Sequence, residues 1–482
     1  MKSRVIAILL GMSLPICALG GVAVNLQVPP PPGTQQNGFF NVSGAGISQV
    51  QDLGGQVYNV KNVYPAGGAS CLQGAKGDGT TDDTLAIGCA ITAAGGATAR
   101  GVVFFPPGTY NTTGHYNLTS LNGLVIQGSG VASTTLKITS AVNNLFYWDN
   151  GAAVEQTFRD FLVTSAVNFR TGGWVFSYVP PVPSLGYLTQ ARFENIDIRN
   201  QWNGIQIGQF LFVHMSHIMM SEWSQPAPPA FQSGIGLQIG QWAGAVINQG
   251  TGFHITNVHI YGNNLITNAV LPIGTGVLVQ DCDAIAAYDL EVGGGYFDCM
   301  KMEAGIYGLH NHFFSMSQFD SSTAATVWIH NAGTGSVGDI RFVGCYFANG
   351  GHFSGYPDNP GQPVVLVEPS MQGSTFSGCT FASSTGTLFV IRKNMWGGTI
   401  TGNTLTADAC QNAILYSDEY ANAVGPTISG NSVISGNIPG TCTAYAIVTD
   451  NTAYRSVIVG NTLIGGTSFG TPPPAVVANN GL

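Results

Sequence analysis

Charge is what this chain has least of. Of its 482 residues only 8% are Asp, Glu, Lys or Arg, where about a quarter is usual. Lys and Arg number 15 against 24 Asp and Glu, so the net charge of −9 reflects scarce bases rather than an acidic tract. No basic patch is visible, which argues against a nucleic-acid partner. Long apolar runs are missing too. Beyond the N-terminus no stretch approaches the roughly eighteen residues of a membrane span, so no membrane insertion is expected. A content of 44% hydrophobic residues argues against disorder. Glycine, by contrast, is plentiful at 66 residues. Few charges and much glycine suit long sheets with glycine at their corners.

The ends differ from the middle. Lys2 and Arg4, the apolar run Val5 to Leu14 and the small residues of Ala18-Leu19-Gly20 read as a secretory signal over residues 1–20. The expected location is therefore secreted or periplasmic. Residues 21–55, with Pro29 to Pro32, read as a Pro-rich leader, and residues 471–482 as a loose tail. Residues 56–470 show no linker-like shift and are expected to form one domain. Eight cysteines follow Cys17. In an exported protein they permit disulfides, whose connectivity the sequence leaves open. Pairing of sequence neighbours is one reading and buried free thiols the other.

Two short patterns recur along the middle. The first is apolar-x-[Gly/Asn]-[Cys/Asn]-x-apolar, clearest at Phe342–Phe347 and Phe376–Phe381, and again at Ile400–Leu405, Ile428–Val433 and Ile458–Leu463. Looser copies begin at Phe158, Phe193, Val213, Ile255 and Phe314. The second is small-apolar-x-apolar, as in Gly204–Ile207, Gly236–Ile239, Gly276–Val279 and Val364–Leu366. Alternation within each copy is a strand signal. Interleaving at solenoid spacing implies coils that stack to bury a shared core. The expected fold is an all-β, single-stranded parallel β-helix of roughly ten to twelve coils. Asn403, Asn431 and Asn461 share one repeat position, with Cys345 and Cys379 at the same place earlier. Coils lie about 4.8 Å apart, so the amides are expected to form a buried ladder.

The stretch Ala75 to Ala94, AKGDGTTDDTLAIGCAITAA, followed by GVVFFPPGTY at Gly101 to Tyr110, reads as a tight turn, a short helix near Thr81 to Ala94, a strand and a second turn. Thr80, Thr81, Asp82 and Asp83 are cap-type residues. This stretch resembles the N-terminal motif of the pectate-lyase superfamily and phage-tailspike group of the rhamnogalacturonase/epimerase type. The resemblance implies a right-handed, pectin-lyase-like β-helix with a short capping helix. By tailspike analogy it also admits a trimer.

Acids are scarce, so each is weighed. The densest group holds Asp281, Asp283, Asp289, Glu291, Asp298, Glu303 and Asp320, with Lys301, His310 and His312 among them. Asp281 and Asp283 follow a strand at i, i+2 spacing, which puts both on one face if the strand continues. Paired carboxylates can divide acid and base roles. Glu303 precedes Gly305-Ile306-Tyr307, a setting similar to that of a catalytic aspartate in polygalacturonases, although the "GHG" and "RIK" motifs of that family are absent. Asp281, Asp283 and Glu303 are therefore the expected catalytic residues, converging on one groove, with Glu222 and Asp320 in reserve. Trp202 and Trp242, with nearby glutamines, suit stacking and hydrogen bonding to a neutral or weakly charged glycan, and Lys301 and His310 are the other expected contacts. The expected partner is a polysaccharide. The leading activity is glycoside hydrolysis without metal or cofactor. The alternatives are a uronate lyase, with Ca²⁺ held by Asp281, Asp283 and Glu303 and Arg192 or Lys301 as base, or a non-catalytic glycan-binding spike.

Overall fold

The computed structural model describes residues 16–18, 22–24, 56–64, 71–95, 101–149, 151–166, 169–180, 186–221, 234–241, 250–262, 273–351, 362–383, 386–407, 413–416, 425–435, 447–449, 456–464 and 476–478. The chain divides into two compact units, Met1–Asp52 and Leu53–Leu482. In the first, Ile16–Ala18 pairs antiparallel with Val22–Val24. The apolar run Val5 to Leu14, the prolines of the leader and those of the tail lie outside the described residues.

The second unit is a parallel β-helix. One circuit shows how it is built. Trp174–Tyr178 lies on one sheet, Leu188–Thr189 on a short ladder, and Arg192–Arg199 turns from a second sheet onto a third; Asn203–Ile207 then returns to pair in parallel with Trp174–Tyr178. We call the sheet of 192–194 the first, that of 196–199 the second and that of 203–207 the third. Inward side chains stack rung upon rung. On the first sheet Phe158, Phe193, Met215, Ile255, Ala287, Phe314, Phe342, Phe376, Ile400, Ile428 and Ile458 form one buried column. Within it Phe314, Phe342 and Phe376 stack at 4.9 Å between ring centres. No coil can bury this face alone, so each depends on the next.

The first repeat is the corner between the first two sheets. Gly344, Gly378, Gly402, Gly430 and Gly460 all have φ between 62° and 64°, and the earlier coils put Asp160, Asn195, His217, Asn257 and Asp289 there with φ between 50° and 65°. Glycine takes that conformation freely, and Asn and Asp tolerate it. The first sheet begins at Val57–Asn59 and ends at Val476–Ala478. Its first three rungs, at 57–59, 102–105 and 125–128, carry no copy of either repeat, so the helix extends beyond the coils the repeats reveal.

The capping helix is Thr84–Ala94, three residues shorter at its start than expected. Asp78–Asp82 is drawn instead into a strand beside Gly108–Thr112. Of the four cap-type side chains that of Asp82 bonds the first turn, accepting from the Thr84 N–H at 3.0 Å, while Asp83 is the N-cap residue and its carbonyl accepts from the Ile87 N–H. Asp83 reaches back to the Lys76 and Gly77 N–H groups, and its burial raises its pKa. Ile87, Cys89, Ala90, Ile91 and Ala94 are buried, facing the end rung formed by Val57–Asn59 and Val102–Phe105. A Cys71–Cys89 disulfide ties the helix to the preceding loop. Cys282, Cys299, Cys345 and Cys379 are free and buried, so both readings of the cysteines hold, each for some of them. Cys410 and Cys442 lie outside the described residues.

Candidate functional site

The outer face of the third sheet carries a continuous polar track. Ser177 Oγ donates to Gln206 at 3.1 Å, Gln206 Nε2 to Gln238 at 2.8 Å, and Gln238 Nε2 to Gln280 at 2.9 Å. Gln280 Nε2 then donates to Glu303 Oε2 at 2.7 Å. Each link climbs one coil, because parallel register sets these side chains one above another. At Glu303 the track changes from amides to charges. Lys301 Nζ lies 2.5 Å from Glu303 Oε1 and 4.3 Å from the centre of the Trp328 ring, a cation–π distance. One coil further, Trp328 Nε1 donates to Glu368 Oε2 at 2.9 Å and His330 Nδ1 meets the same oxygen at 2.6 Å. Arg392 closes the row, 3.3 Å from Glu368 Oε1. Both glutamates are thus held by neighbouring side chains, Glu303 by Lys301 and Gln280 and Glu368 by Trp328, His330 and Arg392.

Asp298 lies three residues before Lys301 on the same strand and pairs in register with Thr275. It is 2% exposed, and its Oδ1 has no hydrogen-bond partner among the described residues. Desolvation pushes its pKa up to about 7; Glu303 adds to the rise and Lys301 opposes it. Five residues apart on one strand, the two carboxyl groups face opposite sides of the sheet, Asp298 inward with Met300 and Met302 and Glu303 outward with Lys301.

The expected catalytic trio is distributed among three networks. At Asp281 the chain turns with φ 35°, so the strand does not continue and Asp281 and Asp283 do not share a face. The buried Asp281 carboxylate accepts from the N–H groups of Gly305, Ile306 and Gly308 at 2.6, 3.0 and 2.9 Å. It fastens the turn of the next coil. Asp283 sits on the short ladder, half-exposed, and accepts from Asn311 Nδ2 at 2.9 Å. Glu303 alone of the three stands on the charged track, with Lys301. These three acids also form no joint calcium site: among the described residues no group of three or more His, Cys, Asp or Glu is placed to hold a metal. Trp202 is half-buried just before Asn203–Ile207, three coils before Asp298, about 14 Å along the axis at the usual coil spacing. Trp242, Trp223 and Glu222 lie outside the described residues.

The remaining acids of the dense group are scattered. Asp289 holds a corner. Glu291 pairs with His259 at 2.8 Å on the second sheet. Asp320, also there, accepts from Asn349 and Ser321. His310 is on the short ladder, next to Asp283 in register. His312 is fully buried, accepts from the Ile285 N–H, and is held neutral by desolvation, its pKa lowered to about 3. Sequence reasoning passed over Asp298, Trp328, His330, Glu368 and Arg392. A signal existed. One residue after the last inward apolar residue of each strand, at Val279, Met302, Ile329, Val367 and Ile391, the register aligns Gln280, Glu303, His330, Glu368 and Arg392 in one column, which the repeat copies reach at Gln280 but miss by one residue at Glu368.

Residues 73–172 match the model of the family described as rhamnogalacturonase A/epimerase, pectate lyase-like. That stretch resembles the family, and the fold of the chain is a parallel β-helix. Among solved structures, the A-module of the mannuronan C-5 epimerase AlgE6 from Azotobacter vinelandii superposes with a TM-score of 0.61 at 14% identity, over 85% of this chain and 100% of that one. The AlgE4 A-module from the same organism gives 0.57 at 16% identity, over 87% and 99%. PfbA, a surface adhesin of Streptococcus pneumoniae, gives 0.53 at 15% identity, over 81% and 88%. At such identities the likeness of this chain to these structures is one of fold. No curated protein matches it by sequence. Among the described residues no helix is long and apolar enough to cross a membrane.

Proposed function

We propose that this protein is an exported carbohydrate-active enzyme that hydrolyses a polysaccharide lying along the outer face of the third sheet. The observation that carries the reading is the row of Glu303, Lys301, Trp328, His330 and Glu368 along one outer column. Glu303, bonded to Lys301 and Gln280, serves as base. Glu368, two coils on in the same column and so about 9.6 Å away at the usual coil spacing, serves as the acid for the leaving oxygen. Trp328 offers a flat face for a sugar ring, and the glutamine track supplies neutral hydrogen bonds to the rest of the chain. Reducing-sugar release across a polysaccharide panel tests it. Turnover that is lost in both Glu368→Gln and Glu303→Gln supports the assignment, and turnover unchanged in either removes that residue.

A second reading rests on a separate observation. Lys301 and Arg392 flank the His330–Glu368 pair on the same face. Two cations beside a histidine–carboxylate pair suit a uronate, whose carboxylate needs neutralising before its α-proton is removed. Double-bond absorbance without net hydrolysis would favour this lyase chemistry. Polysaccharide binding with neither signal would favour a non-catalytic binder.

A further inference from the structure

The short ladder left Asp283 and His310 outside the reaction groove, yet its outer face has a character of its own. Its rungs Gly308–His310, Ser336–Gly338, Met371–Gln372 and Met395–Trp396 stack in register. Leu309, Val337, Met371 and Met395 point inward and are buried. His310, Gly338, Gln372 and Trp396 therefore form the outer column. Trp396 is 67% exposed although its strand neighbour Met395 is fully buried, so the indole stands on a fixed base. Gln372 is its register partner. Beyond Gln372 the column is bare at Gly338. A Cβ there would lie 3.6 Å from His310 Nδ1 and 3.1 Å from the Gln372 carbonyl oxygen. The His310 ring is anchored at its other nitrogen, with Nε2 3.0 Å from Ser336 Oγ, so Nδ1 faces the gap.

A lone indole among polar groups is poorly suited to a protein partner, which needs a contiguous apolar patch. No other large exposed apolar side chain occurs in this column among the described residues. A flat ring beside an amide and an imidazole suits a pyranose, which presents C–H groups to an aromatic face and hydroxyls at its edge. From Trp396 to His310 the strip spans three rungs, about 14 Å, room for a short run of sugar residues.

We propose that Trp396, Gln372 and His310 form a second carbohydrate-binding strip for neutral sugar residues, on a different face from the Glu303 groove. It rests on the carbohydrate reading above and adds a site at which the protein holds a long polymer while the groove acts on it. The test is retention of the wild type and variants by a panel of neutral polysaccharides in affinity electrophoresis, alongside turnover of short oligosaccharides. Trp396→Ala should weaken retention roughly five- to tenfold, the worth of one aromatic contact. Trp396→Phe should keep most of it, and Gln372→Ala should lose less than Trp396→Ala. Glu303→Gln should be retained like the wild type. Retention unchanged in Trp396→Ala overturns the strip alone. Short-substrate turnover that falls in Trp396→Ala overturns its separation from the groove. If no polysaccharide retains the wild type, the carbohydrate reading itself fails and the strip with it.

Discussion

Two ladders of side chains climb this helix by the same coil geometry and end differently. In the last coils Asn403 Nδ2 donates to Asn431 Oδ1, and Asn431 Nδ2 to Asn461 Oδ1, each at 2.9 Å. Each oxygen also accepts the N–H of the residue below, and each Nδ2 also reaches a backbone carbonyl. All three side chains are 1% exposed. On the third sheet the glutamine track begins as a similar chain of amides, then breaks into Glu303, Lys301, Trp328, His330, Glu368 and Arg392. One residue type repeated at a buried position saturates its own hydrogen bonds and leaves nothing for a ligand. A track whose residues change at every rung, with charged members one-seventh to one-half exposed, keeps groups that can turn outward. Repetition here marks structure, and its interruption marks the candidate site.

The contrast can be broken most forcefully at Glu303. Glu303→Gln should cost on the order of 100-fold or more in polysaccharide turnover, the scale of a lost general base. Asn431→Ala should leave kcat unchanged once the protein is folded. Equal kinetic losses in the two would erase the distinction.

A pH titration sharpens it next. Asp298 has its pKa raised from 3.8 to about 7 in the fold. Between those values the native state keeps a proton that the unfolded chain has lost, so stability should fall as pH rises through that window and level off above about 7, a change on the order of a few kcal/mol. Denaturant midpoints measured from pH 4 to 8 should show this decline, and Asp298→Asn should flatten it. The saturated asparagine ladder has no such titration.

Within that ladder, Asn431→Ala removes the side chain bonded to the Asn403 N–H, the Asn403 Nδ2 and the Ile400 carbonyl. It should lower unfolding free energy by about 1 to 3 kcal/mol per group left unpaired, read from chemical denaturation. The smallest effect belongs to Gln206→Ala on the more exposed track. Its stability cost should stay within about 1 kcal/mol, while KM for the polymer rises and kcat holds. A stability loss there as large as that at Asn431 would make the two ladders equivalent.

Much of the fold was legible in the sequence because its determinants lie within single coils. Alternation of apolar and polar residues says which side chains enter the core. The Gly or Asn before Cys or Asn marks the corner where φ must be positive, and Gly77-Asp78-Gly79 marks the turn before the capping helix. Even the Asn403/Asn431/Asn461 ladder follows, since identical residues at one repeat position must stack at the coil spacing. The helix start was misjudged because the strand at Gly108–Thr112, thirty residues on, captures Asp78–Asp82. The site was less legible for the same kind of reason. The coils differ in length: Gln280 and Glu303 are 23 residues apart, while Gln238 and Gln280 are 42 apart. Spacing along the chain therefore does not show which outward side chains become neighbours, and proximity between Asp281 and Asp320 is dispersed over the faces of the helix. The sequence by itself determined the coil, its inside and its corners. Only the tertiary structure decided that Glu303 meets Lys301 and Gln280, that Asp281 serves a turn, and that Asp298 is stripped of water, because those facts depend on register between coils and on solvent exclusion.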